Sequence, residues 1–371
     1  MKILFVSHFS FLYGANRSLE SLVMYFNSKG INVEVLLPTR GKFYDRLEER
    51  GIKVYTFRFF YEVMYVKMNP KYLSLPILWL YNLIAFPFLV CKVRKINPDV
   101  IYSNSSVDAY SIWVAKILCK KHVAHIREFM FEDFGARYVF GRKQKSAYLR
   151  KSNKIITVSK AVAKTVFGEM PINCKVIYNG LRIPDKVDDY EAKKGRIRLG
   201  VVGNIDISKQ QDLAIRYMPQ ILENFPHVSL HIVGEKECPY KKMIKKLVHD
   251  LNLEKNVIFE GFVDNIDDIY KKIDVLLMCS RNEAFGRVTI EAMLRNIPVI
   301  GLDTAGTSEL IDDGETGFKF MDCDGVISAL NTIINNPDKT TDIVAKAKET
   351  AEIKFSELRY TEDVYQYIKD L

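Results

Sequence analysis

Short, unbroken apolar runs alternate with longer stretches of helical periodicity along nearly the whole chain, in two successive sets. The first set of runs is 2–7 (KILFVS), 32–37 (NVEVLL), 52–57 (IKVYTF), 99–103 (DVIYS), 122–126 (HVAHI) and 154–158 (KIITV). Between them lie segments such as 15–29, where Leu19, Leu22, Val23 and Phe26 recur at i, i+3, i+4 and i+7. Strands that are apolar on both sides belong in a parallel sheet covered by helices on both faces. The second set repeats the scheme, with strands at 197–202, 228–233, 256–260, 274–279 and 298–302. Its helices read at about 211–224, 240–251, 266–272, 287–296, 324–335 and 340–371. The stretch 183–196 (IPDKVDDYEAKKGR) is polar, aperiodic and carries a proline, so it reads as a linker. The pattern predicts two doubly wound α/β domains, 1–182 and 197–354, sharing a cleft at the carboxyl ends of their strands. A closing helix at about 355–371 is expected to return to the first domain, burying Phe355, Leu358, Tyr360, Val364, Tyr365 and Ile368.

A hydrophobic content of 48% with 27% charged residues excludes a disordered or collagenous chain. The six cysteines form no CxxC pair, which argues against a zinc site or a disulfide framework and fits a reducing cytoplasm. Met1-Lys2 runs straight into the first strand, too short an apolar run for a secretion signal. No Asp-x-Asp, HExxH or ordered Cys/His set is present, so no metal is expected.

Charge is divided unevenly. Residues 1–182 hold 29 Lys+Arg against 12 Asp+Glu, a balance of +17, whereas 183–371 hold 25 against 33, a balance of −8. The basic half should attract a polyanionic surface, nucleic acid or an anionic bilayer, unless it is a solvated face with no partner. Helix-turn-helix, zinc-finger and RNA-binding motifs are absent, which disfavours nucleic acid. Residues 72–91 (YLSLPILWLYNLIAFPFLVC) carry no charge and are flanked by Lys67, Lys71, Lys92, Arg94 and Lys95. Twenty apolar residues can span a bilayer, but Ser74, Pro76, Asn82 and Pro87 interrupt this run. A buried helix, a helix dipping into a membrane surface and a true span are the three readings.

The densest chemical signal is 280–317, SRNEAFGRVTIEAMLRNIPVIGLDTAGTSELIDDGETG. The strand 274–279 ends at Ser280, Glu283 follows in a loop, Gly286 stands where a helix should begin, and Glu291 lies inside that helix. A loop and helix start after a parallel strand offer main-chain N–H groups to an anion such as a diphosphate. Glu283 can then hydrogen-bond sugar hydroxyls, and Glu291 a ribose diol. The competing reading is an ordinary helix start with exposed carboxylates.

This stretch resembles the retaining GT-B glycosyltransferases of glycosyltransferase family four. The matching residues are Ser280, Glu283, Phe285-Gly286, Glu291-Ala292-Met293, Pro298-Val299-Ile300, Gly306, Glu309-Leu310-Ile311 and Asp313-Gly314-Glu315-Thr316-Gly317. Further matches are Gly261-Phe262-Val263, Asp274-Val275, Val158-Ser159, Tyr178-Asn179-Gly180, His125 with Ile126-Arg127-Glu128, and Gly14 before Ala15. The resemblance implies a GT-B fold and transfer of a sugar from a nucleotide sugar, UDP-linked sooner than GDP-linked. It assigns Glu283, His125 and Lys209 to catalysis: donor-sugar hydroxyls, the reaction centre and the diphosphate, respectively. Donor contacts would come from Gly14, Gly203, Asn204, Phe262, Ser280, Arg281, Ala284, Phe285, Gly286, Arg287 and Glu291. Two positions depart from the pattern: Asn204 replaces an arginine at the second phosphate contact, and Tyr13 replaces a glycine before Gly14. The basic first domain and its long apolar run point to an acceptor at the cytoplasmic face of a membrane, a lipid-linked or saccharide precursor of a surface polysaccharide, met by a cytoplasmic protein peripheral to that inner face.

A dehydrogenase is disfavoured because neither HFSFLYGAN nor GNIDISK holds GxGxxG. A two-lobed sugar-binding protein of the periplasmic kind would need a secretion signal, and a catalytically degenerate GT-B sugar-nucleotide-binding protein remains as the alternative.

Overall fold

The computed structural model describes residues 1–59, 63–65, 75–108, 110–191 and 195–371. They form two compact units, one of Met1–Gly180 with Glu357–Leu371 and one of Leu181–Ser356.

In unit 1 the chain runs β1 (Lys2–Val6), α1 (Gly14–Ser28), β2 (Asn32–Leu37), α2 (Lys42–Glu49), β3 (Lys53–Thr56), β4 (Val63–Tyr65) and α3 (Leu75–Ile96). It continues β5 (Val100–Ser103), α4 (Tyr110–Ile117), β6 (Lys121–Ile126), α5 (Phe131–Phe134), β7 (Ala136–Tyr138), α6 (Gly141–Leu149), β8 (Lys154–Thr157), α7 (Lys160–Phe167) and β9 (Cys174–Val176). The main sheet is seven-stranded, ordered β3-β2-β1-β5-β6-β8-β9, with every pair parallel. Ile3 stands opposite Val33 on one side and Val100 on the other. Alternation along each strand feeds two cores. Ile3, Phe5, Val33, Val35 and Tyr102 pack on α1 and α2. Leu4, Leu36 and Ile101 pack on α3 and α4. The antiparallel pair β4–β7, with Val63 opposite Tyr138, is separate from the main sheet.

Unit 2 runs β10 (Ile197–Val202), a 3-10 turn (Ile207–Lys209), α8 (Gln211–Asn224), β11 (Val228–Val233), α9 (Pro239–Asp250), β12 (Val257–Gly261) and α10 (Ile266–Tyr270). Then come β13 (Val275–Met278), α11 (Arg287–Met293), β14 (Val299–Leu302), α12 (Ala305–Leu310), β15 (Phe318–Phe320), α13 (Cys323–Asn335) and α14 (Pro337–Lys354). Its sheet order is β12-β11-β10-β13-β14-β15, again all parallel. Leu199, Val201, Leu230, Ile232, Val275 and Leu277 meet α8, α9 and α13 in one core. Gly301 faces the other way, where a Cβ would stand 2.5 Å from Ile311 Cδ1. The strand order reverses between β10 and β13, which makes their carboxyl ends the switch point where such sheets bind ligands.

The expected closing helix is not continuous. The segment read as helix over 340–371 is α14, a break at Phe355-Ser356, and α15 (Glu357–Ile368). At the break Leu181 N–H donates to the Phe355 carbonyl (2.8 Å), and the Phe355 ring lies 6.1 Å from that of Phe285 in unit 2. Phe355 therefore belongs to unit 2, and Leu358 is 68% exposed, so neither joins the core assigned to it. Tyr360, Val364 and Ile368 do bury against the core of unit 1. The short strands β9 and β15, the β4–β7 pair and α12 were not anticipated, because three to six residues carry too little periodicity to stand out.

The apolar run has a mixed outcome. Residues 72–74, Lys67 and Lys71 lie outside the described residues. In α3, Ala85, Leu89, Val90, Val93 and Ile96 are buried, whereas Leu80, Leu83, Ile84 and Phe88 are 56–66% exposed. A wholly buried helix is therefore not what forms. Among the described residues no helix is long and apolar enough to cross a membrane.

His122 and His125 are buried in unit 1, and His8 is partly buried there. Burial lowers His8 and His122 to about 3, and burial with the nearby Arg127 charge holds His125 well below its usual value. The folded chain keeps these rings neutral at pH values where the unfolded chain, with a histidine pKa of about 6.5, binds protons. Their stabilising contribution is thus complete above about pH 6.5 and drains as pH falls, each at up to about 1.4 kcal/mol per pH unit. Urea unfolding at pH 7.5, 6 and 5 should show a progressive loss; equal or rising stability at pH 5 would contradict this account.

Candidate functional site

The loops after β10 and β13 flank the switch point of unit 2 and carry Lys209 and Glu283. Lys209 closes the 3-10 turn after β10, and Glu283 stands on the loop after β13. Lys209 Nζ lies 2.7 Å from Glu283 Oε2, with both side chains partly open (29% and 18% exposed). The pair joins the two loops at the switch point.

Main-chain packing around the pair is tight. Gly234, after β11, has φ +143°, and a Cβ there would meet the Gly203 carbonyl oxygen at 2.0 Å. Gly203 itself has φ +138° with the Lys209 stem beside it. On the far side Gly306 N–H donates to the Glu283 carbonyl (2.8 Å), and a Cβ at Gly306 would sit 2.6 Å from that same oxygen. The Glu283 backbone is therefore pinned by α12. Gly234 and Gly306 hold the loops closer than a side chain would permit.

α11 begins at Arg287, with Gly286 as its N-cap in the left-handed region (φ +94°). Glu291 is the fifth residue of this helix and is 12% exposed. Its Oε2 shares the Tyr270 hydroxyl proton with the Val288 carbonyl, each at 3.1 Å, and its Oε1 lies 3.8 Å from Arg287 Nε. Burial, and then the Glu291 carboxylate, raise the Tyr270 phenol well above its usual range, so it stays a donor and fixes the carboxylate. Ser280 and Phe285 are buried, Ala284 is half-buried, and Arg281 is exposed on the same loop. Phe262 is 71% exposed just past β12. Asn204 is exposed, and its carbonyl accepts from Gln211 Nε2 (3.0 Å).

In unit 1, Gly14 is the first residue of α1, and Tyr13 is its N-cap with ordinary extended angles (φ −87°, ψ 174°). Tyr13 therefore needs no altered turn; its ring is 66% exposed beside Phe9 and Phe11. The loop is wound around Asn16, which donates to the carbonyls of Phe9 (2.9 Å) and Phe11 (2.8 Å) and accepts from Ser7 Oγ (2.7 Å).

His125 is not where a reaction-centre residue must be. It is 0% exposed inside β6, with Nδ1 2.5 Å from the Tyr102 hydroxyl and 3.2 Å from Arg127 Nη2. A side chain with no surface cannot touch substrate, so His125 is a core group that supports Arg127. Glu128 Oε1, 7% exposed on the next residue, accepts from Ser105 Oγ, Ser106 N–H and Ser106 Oγ and ties down the loop after β5. The spacing of the sequence brought out Glu283 and Glu291, and the family resemblance brought out Lys209. Sequence reading missed Tyr270 and Asn104, whose partners are distant in sequence, and Asn16, whose local loop contacts follow no periodic pattern. Two cavities, about 670 Å³ in unit 1 and about 710 Å³ in unit 2, include neither Glu283 nor Lys209.

Residues 13–183 match the family described as Glycosyltransferase Family 4, and residues 183–350 match that described as Glycosyl transferases group 1. An uncharacterized 41.2 kDa protein in the cps region of Klebsiella pneumoniae is 31% identical over 173 residues, 43% of this chain and 45% of that one. The poly(ribitol-phosphate) alpha-N-acetylglucosaminyltransferase of Staphylococcus aureus is 25% identical over 242 residues, 63% of this chain and 47% of that one. The match spans about half the length of those curated relatives. The crystal structure of HepE from Anabaena in complex with UDP aligns over 100% of both chains with a TM-score of 0.81 at 22% identity, a likeness of fold. Two parallel α/β sheets, the matched profiles across both units and this structural likeness together place the chain in glycosyltransferase family 4, with the GT-B fold.

Proposed function

We propose that the chain is a retaining hexosyltransferase that moves a sugar from a nucleotide sugar, preferably UDP-linked, to a lipid-linked or saccharide precursor of a surface polysaccharide. The observation that carries this reading is the Lys209–Glu283 pair at the switch point of unit 2. Support for the donor comes from HepE, solved with UDP, and support for the acceptor from the Staphylococcus relative, which is named for poly(ribitol-phosphate). In this reading Lys209 meets the diphosphate and stabilises the charge that develops as it leaves, a preorganised electrostatic contribution. Glu283 holds donor-sugar hydroxyls, and Glu291, oriented by Tyr270, holds the ribose. The reaction proceeds without a metal ion, so EDTA should leave turnover unchanged. Proton NMR of the first-formed product tests the reading: the donor's anomeric configuration should be kept, and inversion would overturn it.

Asn204 favours a second reading, a degenerate transferase that binds nucleotide sugar without turning it over, because a fixed cation is missing there. Turnover with any UDP- or GDP-sugar decides between the two.

Lys209→Ala should weaken UDP binding by tenfold or more while leaving uridine affinity nearly unchanged. A charged hydrogen bond to phosphate contributes about 1.5–3 kcal/mol. Equal losses for both ligands, measured calorimetrically, would remove Lys209 from the phosphates.

The proposal places the protein on the cytoplasmic, inner face of an anionic membrane, through the basic half and the outward stripe of α3. It should pellet with anionic vesicles at low salt and be released by high salt without detergent. Failure to pellet at low salt would leave the basic half as a solvated face.

A further inference from the structure

Helix α3 is apolar on its outer face as well as its inner one. Leu80, Leu83, Ile84 and Phe88 recur at i, i+3, i+4 and i+8 and are all more than half exposed. Beside this stripe, between α3, α4 and α6, lies a groove of about 670 Å³ walled by Leu83, Phe86, Trp113, Ile117, Phe140 and Tyr148. No Asp or Glu lines it. Two of its polar groups are turned on each other, Asn82 Nδ2 donating to the Tyr110 hydroxyl at 2.6 Å. The volume is that of a small-molecule site.

Lys145 is one of its lining residues, and two further lysines stand by its aromatic wall. Lys116 Nζ lies 5.7 Å and Lys151 Nζ 5.9 Å from the centre of the Trp113 ring, and Lys151 is also 5.8 Å from that of Tyr148. Residues 80–151 hold 13 Lys+Arg against 5 Asp+Glu, a balance of +8. Of those five acids, Glu128 is buried and hydrogen-bonded to serines. A peptide lying in this groove would leave main-chain groups without partners, which is costly. A hydrocarbon chain has no such groups, and an anionic head on it would meet the lysines.

We propose that the groove takes one acyl chain of an anionic bilayer phospholipid, with Lys116 and Lys151 at its phosphate. The inference rests on the membrane reading above for the source of the lipid and is independent of donor, acceptor and turnover. A single chain gives only reversible attachment, so the site would add to the basic surface and not anchor the protein by itself.

The test uses the full chain with Trp79→Phe, which leaves Trp113 as the sole tryptophan of the two. Vesicles of phosphatidylcholine with phosphatidylglycerol carry bromine on the phosphatidylglycerol acyl chains. Trp113 fluorescence should fall at least twofold on binding. Ala147→Phe, which fills the groove from α6, should still pellet with vesicles but lose most of that quenching. Lys116→Glu with Lys151→Glu should weaken vesicle binding at least tenfold. Pelleting without quenching, or equal quenching in the Ala147→Phe variant, would overturn the groove while leaving the membrane reading intact. Failure to pellet at all would overturn both.

Discussion

Glu283→Ala should lower turnover by about 10²–10³-fold at saturating donor, the range seen when one preorganised polar contact is lost from a reaction centre. The side chain projects from a loop whose backbone is held by Gly306 and whose carboxylate meets Lys209. Removing it breaks an ion pair that is partly open to water, and such pairs contribute roughly 0–1 kcal/mol to stability. Fold and function should therefore separate: the thermal midpoint should move by no more than a few degrees while transfer collapses. Glu283→Gln keeps the shape and part of the hydrogen bonding but removes the charge that holds Lys209. It should fall between the wild type and Glu283→Ala in turnover, and its UDP affinity should be equal or tighter, because Lys209 no longer has to leave a carboxylate to meet phosphate. Near wild-type turnover in Glu283→Ala would remove the pair from the reaction and with it the reading of the site.

The strands were legible in the sequence because a strand apolar on both faces has no other use in a chain of this composition. The pair Glu283 and Glu291 was legible because loop and helix start are consecutive in sequence. Lys209 came from resemblance, and the structure supplies what spacing could not: its ammonium reaches Glu283 across 74 residues. His125 shows where reading a motif without strand parity misleads. Val123, two residues before it in β6, is in the core that faces α1 and α15, so His125 must point the same way. That alternation was available from the sequence. Tyr102 and Tyr360 as neighbours of His125 were not, since they arrive from β5 and α15. The break at Phe355-Ser356 was hidden for a related reason. Helical periodicity continues on both sides of it, and only the transfer of the chain from one unit to the other interrupts the helix.

The same parity gives the second large effect. Arg127 lies two residues past His125 and is 8% exposed. Its Nε donates to Asn104 Oδ1 (2.8 Å), Nη1 to Asn179 Oδ1 (2.5 Å) and Nη2 to the Tyr360 hydroxyl (2.7 Å). One guanidinium thus joins the loop after β5, the segment after β9 and the returning helix α15. All these acceptors are neutral, so the cation is held by hydrogen bonds that fill its fork. Arg127→Ala would leave two amide oxygens and a phenol without their donor. An unsatisfied buried group costs about 1–3 kcal/mol, so a loss of about 3–5 kcal/mol is expected, at the extreme of single substitutions. Arg127→Lys should recover only a small part, because an ammonium cannot span three acceptors in one plane. Tyr360→Phe removes one contact and should cost about 1 kcal/mol. Limited proteolysis should cut near Ser356 faster in Arg127→Ala than in the wild type, since α15 loses its polar tether to the sheet. If Arg127→Ala unfolds at the wild-type temperature, the network is not what fixes α15. If that stable variant also loses transfer, the guanidinium's role is to meet a ligand anion instead.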